Sequence, residues 1–462
     1  MNIKQISFEK IESPLDLPPL TESEIRHRHA LLSGRMKKRG LSHLVVYGDR
    51  EHFSNMSYLT GGYDPRFEEA LLILDVEGRV TLIVGNEGYD YSNISLISME
   101  KKLFPTFSLQ GMIRNNKRYI EEIFRECGIV KSAKIGIVGI KYYEDGEAET
   151  PRQTYDIPHY LIEALLHIVP ADSLSNVTEI MNHPVEGIRC TLSAAEIARA
   201  EIMGTYLSNQ MKAIIESLEI GMSEADAISH FDYRGIPFNV HPVVNFGTRR
   251  VLLGLASPSF SVRLQAGDPV SIGLSVEGTS IARTGFAVRS GDDFKGTRKN
   301  IVDEFYYPYF KAVKTWYETV KVGASSRSVF DNVMSILGDK KFGVSLNPGH
   351  QIHMEEWINS PFRQDRDHRL VSGMAFQCDI IAFPGEPFVG VHVEDNAIIA
   401  DEQLRSEINK TYPDVWKRFT IKREMMRETL GINIDESLLP VSTIQAHFHP
   451  FLLDSSYVFC GK

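Results

Sequence analysis

No stretch of about 18 consecutive apolar residues occurs in the 462-residue chain, so a membrane-spanning helix is not expected. The opening segment, MNIKQISFEKIESPLDLPPL, lacks the basic-then-apolar pattern of a signal peptide. Basic charge is also short. Lys and Arg number 50 against 60 Asp and Glu, a net charge of −10, which disfavours nucleic acid or an anionic membrane as a partner. Cysteine is scarce: Cys127, Cys190, Cys378 and Cys460 lie far apart and form no C-x-x-C pair. That excludes a disulfide scaffold and points to reduced thiols in a cytoplasmic protein. Tandem repeats and low-complexity segments are missing too. What is present is a globular composition, 43% hydrophobic and 24% charged, in a chain too long for a single core. Cores stop growing at about 250–300 residues, so two domains are expected.

Residues 1–20, polar and Pro-rich, read as an arm on the surface or on a partner subunit. Helical spacing over 21–39 begins with Thr21 and, three residues later, Glu24, the signature of a capping box. SHLVVYGD reads as a buried strand and EALLILDVEGRVTLIVG as a hairpin turning at Val76-Glu77-Gly78. NKRYIEEIFRECG is a helix that stops at Gly128, KIGIVG a strand, and HYLIEALLHI a helix. This alternation predicts an α/β domain over residues 1–185. From 186 to 462 the pattern changes. A long amphipathic helix starts at Ser193 and closes at Gly221, and a second begins at Ser223. A hairpin over 268–288 turns at Glu277-Gly278, and GMAFQCDIIAF and GVHVEDNAIIA are later strands. Helices at about 296–320 and 325–338 lie between them, which gives an α+β second domain.

The richest stretch chemically is NPGHQIHMEEWINSPF, residues 347–362. Pro348-Gly349 makes a turn that presents His350 to a cleft. In extended backbone His350, Ile352 and Met354 share one face, and His353 and Glu355 the other, so the two histidines do not ligate one ion. Trp357 reads as buried. Glu356 is either a substrate contact or a solvated edge. Asp379 interrupts an apolar strand, and Glu394-Asp395 follow a strand in which His392 alternates with Val391 and Val393. Ionic groups inside such strands cost several kcal/mol unless paired or functional, so carboxylates on neighbouring strands near a histidine form an acid–base or metal set. The first hairpin strand alternates Val270, Ile272, Leu274 and Val276 with Ser271, Gly273 and Ser275, and offers no carboxylate. Arg283 binds a substrate carboxylate or pairs with an acid. His241, before a Pro, is a further substrate-side candidate. In the first domain Arg50, His52, Asp64 and Arg66 cluster where loops leave strands, either as binding residues or as a surface salt-bridge network.

Together these stretches resemble the creatinase/prolidase/aminopeptidase P family. RMKKRGLSHLVVYGDREHFSNMSYLTG is similar to its N-terminal domain, and SAAEIARAEIMG with IIESLEIGMSEADA to the helix pair that opens its catalytic domain. NPGHQIHMEE, GMAFQCDI and GVHVEDNAII resemble its Gly-His segment and its two ligand-bearing strands. The resemblance implies a creatinase-like α/β domain followed by a pita-bread domain, and a homodimer in which one subunit's N-terminal domain caps the other's site. Arg50, His52, Asp64 and Arg66 would then contact substrate. Family peptidases hold two divalent ions with two Asp, one His and two Glu. The resemblance maps the His to His350, the first Glu to Asp379 and the second to Glu394. It maps the Asp pair to Gly273 and to Ser280 or Ala282, which carry no carboxylate. The family's other two histidines fall near Gly254 and Trp357.

The resulting expectation is an enzyme without cofactor or metal, a hydrolase or lyase of a small polar molecule. His350, Asp379 and Glu394 are its catalytic residues, and His241, His353, Glu356 and Arg283 add substrate contacts. Two alternatives stand beside it: a non-catalytic binding protein on the same fold, and a mononuclear Xaa-Pro peptidase.

Overall fold

The computed structural model describes residues 2–7, 11, 12, 14–115 and 117–461. Parts of the expected N-terminal arm (1, 8–10 and 13), and Asn116 at the start of an expected helix, lie outside them. The chain divides into two compact units, Pro19–Arg189 and a second made of Met1–Pro18 with Cys190–Lys462. A boundary at 185/186 assigns the first 18 residues to the α/β domain, whereas in the structure they go with the second unit. The reason lies in strand β1 (Asn2–Gln5), whose partner comes from the far end of the chain.

The α/β unit holds a six-stranded sheet. Its strands are β2 (His43–Gly48), β3 (Ala70–Asp75), β4 (Val80–Val84), β5 (Glu100–Leu103), β6 (Ile135–Val138) and β7 (Leu174–Asn176), in the order β5-β4-β3-β2-β6-β7. β2, β6 and β7 run parallel, as do β4 and β5, and β3 is antiparallel to both its neighbours. Every residue of β2 and β3 is buried, in keeping with their unbroken apolar runs. The helix Glu22–Arg39 begins with the capping box Thr21/Glu24 and ends at Gly40, whose φ of +65° is a left-handed conformation that favours glycine.

The second unit is built on a seven-stranded antiparallel sheet. Its strands are β8 (Phe238–Phe246), β9 (Pro269–Val276), β10 (Thr279–Phe286), β11 (His350–Gln351), β12 (Ala375–Gly385), β13 (Val389–Ile399) and β14 (Leu438–Pro440). The order is β11-β12-β13-β10-β9-β8, with β14 added to β13. β8 covers His241 and Pro242, and its register shifts between Val240 and Val243, where proline has no N–H to give the ladder. The last strand, β15 (Tyr457–Cys460), pairs with β1 in a separate ribbon.

The helix Ala194–Glu216 carries a capping box, Ser193/Glu196, and stops five residues short of Gly221. One side of it buries Leu207, Met211 and Ile214 against Val244, Ile272 and Leu274 of the sheet. Its Glu201, fully buried, takes Arg418 and Lys422 as partners, the latter at 2.6 Å from Nζ to Oε1. The sheet's apolar face is therefore covered, and the polar alternate residues are left to line a cleft.

Candidate active site

Strand register decides which residues meet. Gly273 on β9 lies opposite Ala282 on β10, Ala282 opposite Glu394 on β13, and Glu394 opposite Asp379 on β12. These four positions make one row across the sheet. Ala282, not Ser280, is thus the partner of Gly273. His392, two residues before Glu394, shares its face. His350 on β11 lies opposite Gln377, two residues before Asp379, so it reaches the same row diagonally.

The side chains close into a cluster of five ionisable groups. His392 Nε2 donates to Asp379 Oδ1 at 2.6 Å and lies 3.6 Å from Glu394 Oε2. His350 Nε2 lies 3.1 Å from Glu356 Oε1 and 3.6 Å from Asp379 Oδ2, while its Nδ1 faces the Gln351 carbonyl at 3.2 Å. One atom each from His350, Glu356 and Glu394 falls within 4.8 Å of the others, as does one each from Asp379, His392 and Glu394. Trp357, expected to be buried, is 40% exposed and stacks on the buried His350 ring at 4.0 Å between centroids.

Burial and charge set the protonation states. Burial pushes Glu394 well above the ordinary carboxylate range, and Asp379, Glu356 and Asp395 nearby push it further, against a smaller opposing pull from Arg283. Its Oε1 is buried without a hydrogen-bond partner. Asp379 moves the other way: burial raises it, but His392 and His350 outweigh burial and leave it lowered. For His350, burial opposes the charged form, and the Glu356 contact with the Asp379 charge overcomes it, so its pKa is raised.

The remaining candidates lie elsewhere. Arg283 is opposite Ile272, on the apolar face. It is 1% exposed, and its Nη2 donates to both Asp395 carboxylate oxygens at 2.9 Å, with further guanidinium bonds to the carbonyls of Ala282, Glu394 and Ile444. A substrate carboxylate finds no room there, which corrects the substrate-binding expectation for Arg283. His241 is exposed, with Nε2 3.0 Å from the Leu255 carbonyl. His353 Nε2 lies 3.4 Å from Glu196 Oε1. His392 is the residue that a list built on His350, Asp379 and Glu394 leaves out. The signal for it was in the sequence, because His392 and Glu394 stand two apart on one strand.

Arg50, His52, Asp64 and Arg66 belong to the α/β unit. Arg66 pairs with Asp64 at 2.8 Å and lies over the Phe53 ring. His52 bridges Asp49 at 2.8 Å and Asp156 at 3.5 Å. Burial works against its charge, but the two aspartates prevail and raise it from 6.5 to about 9. A raised folded-state pKa stabilises fully below the unfolded value. His52 is therefore expected to support the 49–60 segment below pH 6.5, with the support lost as pH rises through about 9. Its contribution is at most about 3 kcal/mol. Protection factors, which correct exchange for its intrinsic rise with pH, are expected to fall in residues 43–60 across that window in the wild type. A His52→Gln variant should be flat there, and equal pH dependence in both would refute the assignment.

No family model matches the sequence, and no curated protein matches it either. Solved structures do. The prolidase from Pyrococcus horikoshii OT3 is 18% identical, with TM-score 0.60 over 81% of this chain and 95% of its own. The Xaa-Pro dipeptidase from Bacillus anthracis is 15% identical, with TM-score 0.60 over 82% and 96%. An Escherichia coli aminopeptidase P variant is 16% identical, with TM-score 0.58 over 88% and 100%. The fold is thus that of the Xaa-Pro peptidases, a mixed α/β chain with the pita-bread arrangement. No helix of the described residues is long and apolar enough to cross a membrane.

Proposed function

We propose that the protein is a metal-independent hydrolase or lyase of a small polar molecule. The observation that carries this reading is the geometry of Glu394, in register with Asp379 and buried beside two carboxylate–histidine pairs, a setting that favours its protonated form. The Asp379 carboxylate accepts from His392 Nε2 and leaves Nδ1 as the general base, which takes a proton from water or from substrate carbon. Glu394 is the general acid that delivers a proton to the leaving group. His350, expected as the base, is enclosed, with one nitrogen against a carbonyl and the other against carboxylates. It is a positioning residue whose charge holds Glu356 and Asp379. The pair of divalent ions that the family resemblance implies does not fit this donor set. The row through Glu394 and Asp379 continues into Ala282 and Gly273, which bring no ligand, and two carboxylates on that row are too few to hold two cations together.

A second reading has a specific observation in its favour. The Asp379–His392–Glu394 triple lies within 4.8 Å, close enough for one divalent ion, and would suit a mononuclear peptidase. We prefer the metal-free reading because each histidine already contacts a carboxylate, and burial among acids favours the neutral form of Glu394.

Metal analysis of protein purified without chelator, combined with a turnover screen on pooled polar metabolites, separates the two. Turnover is expected to survive chelation. Glu394→Gln should lower it by about 10²–10⁴-fold. In the wild type, activity should fall on the alkaline side as Glu394 ionises. A stoichiometric ion whose removal abolishes turnover would establish the second reading instead. The same preparation is expected to be a homodimer by light scattering, as befits a cytoplasmic protein of this fold.

A further inference from the structure

A second site is laid out in the α/β unit. The carboxyl ends of β2, β4, β5, β6 and β7 share one edge of the sheet, and the start of antiparallel β3 joins them there. Open α/β sheets hold their ligands outside this edge, because loops leaving parallel strands diverge and open a crevice. Here the crevice has a volume of about 570 Å³, the size of a small-molecule site. Loops from three places line it: Arg50 after β2, Glu68 and Glu69 before β3, and Arg114 beyond β5. Phe67 and Phe107 supply apolar wall.

Its polar groups are only partly used. Among the described residues Arg50 has no side-chain partner, and Arg114 donates only from Nη2, to the Ser108 carbonyl at 3.3 Å. Arg114 Nε is buried without a partner. On the acidic side, Glu68 is 5% exposed, and its Oε2 accepts from the amides of Glu87 and Gly88. Glu68 Oε1 is buried without a partner. Glu69 Oε1 takes the phenols of Tyr47 and Tyr160. The lining thus sets two guanidiniums, one exposed and one half-buried, against the carboxylates of Glu68 and the half-buried Glu69. A ligand with both an anionic and a cationic end complements that lining.

We propose that this crevice binds a small zwitterion, a molecule of amino-acid to dipeptide size. Its carboxylate lies toward Arg50 and Arg114, and its ammonium toward Glu68 and Glu69. Arginine forks suit the carboxylate end, and the phenylalanines suit an apolar side chain.

Calorimetry on the full chain with three probes tests it: phenylalanine, 3-phenylpropionate, which lacks the ammonium, and phenethylamine, which lacks the carboxylate. Phenylalanine is expected to bind at least about tenfold more tightly than either half-probe, since a site built for both charges rejects a ligand lacking one. Arg50→Ala and Arg114→Gln are each expected to weaken phenylalanine and 3-phenylpropionate by about tenfold while leaving phenethylamine unchanged. Hydrogen exchange should slow on phenylalanine binding in residues 65–69 and 106–114. No binding of phenylalanine, half-probes that match it, or protection confined to other segments would each overturn the proposal. Arg50 is exposed and its side chain has no partner among the described residues, so its variant stays informative if Arg114→Gln fails to fold.

Discussion

Aspartates introduced together at Gly273 and Ala282 are expected to make the cleft retain a pair of divalent ions through desalting, where the wild type retains none. The two positions lie in register with Glu394 and Asp379, on strands about 4.8 Å apart, so four carboxylates would stand in one row. There is space for the first: a Cβ at Gly273 would meet only the Val243 Cβ, at 3.7 Å, an ordinary contact. Ala282 is 5% exposed, and filling its site costs about 1–3 kcal/mol, which near-ultraviolet circular dichroism would detect as a change in packing. The added charge is the decisive part, because a pair of hard cations side by side needs several anionic oxygens to offset their repulsion. Glu394 must ionise to join them, so uptake should release protons and weaken in acid. Elemental analysis after loading with manganese reads the outcome. A natively folded double variant that holds no ions, or a wild type that already holds two, would remove the basis for calling the site metal-independent.

Arg283→Met is expected to destabilise the second unit by about 3–5 kcal/mol. The guanidinium and Asp395 are both fully buried, and Asp395 also takes the Ala446 amide. Without its partner, Asp395 is a carboxylate in an apolar setting whose pKa burial already raises, so folding must either neutralise it or bear the cost of its charge. All three tryptophans, Trp316, Trp357 and Trp416, lie in this unit, so fluorescence-monitored denaturation reports on it alone. If Arg283 instead bound substrate, the variant would keep its midpoint in denaturant and change only KM.

Arg283 also shows where sequence reading fell short. The alternation of Val270, Ile272, Leu274 and Val276 marks the covered face correctly, and these side chains do pack under helices. Which side Arg283 takes depends on the turn. With Glu277-Gly278 as the two-residue connection, Arg283 pairs with Ile272 and inherits its face. Counting across the turn would have placed it. Asp379 and Glu394 were legible for a related reason, as charges inside apolar strands need a purpose. Trp357 was not. Its exposure depends on stacking over His350, a contact set by the path of residues 351–357 and not by any period in the sequence. Nor could composition show that Glu356 turns toward His350 while His353 turns toward Glu196.

The pairing of β1 with β15 bears on the order in which a ribosome can deliver this molecule. Asn2 meets Cys460, so β1 waits for a strand translated long after it. The segment Pro19–Arg189 contains all its own sheet partners and can mature while the rest is still being translated. The second unit has no such freedom. Stalling or truncating synthesis ahead of Tyr457 should leave Asn2–Gln5 open to protease beside an already resistant α/β unit.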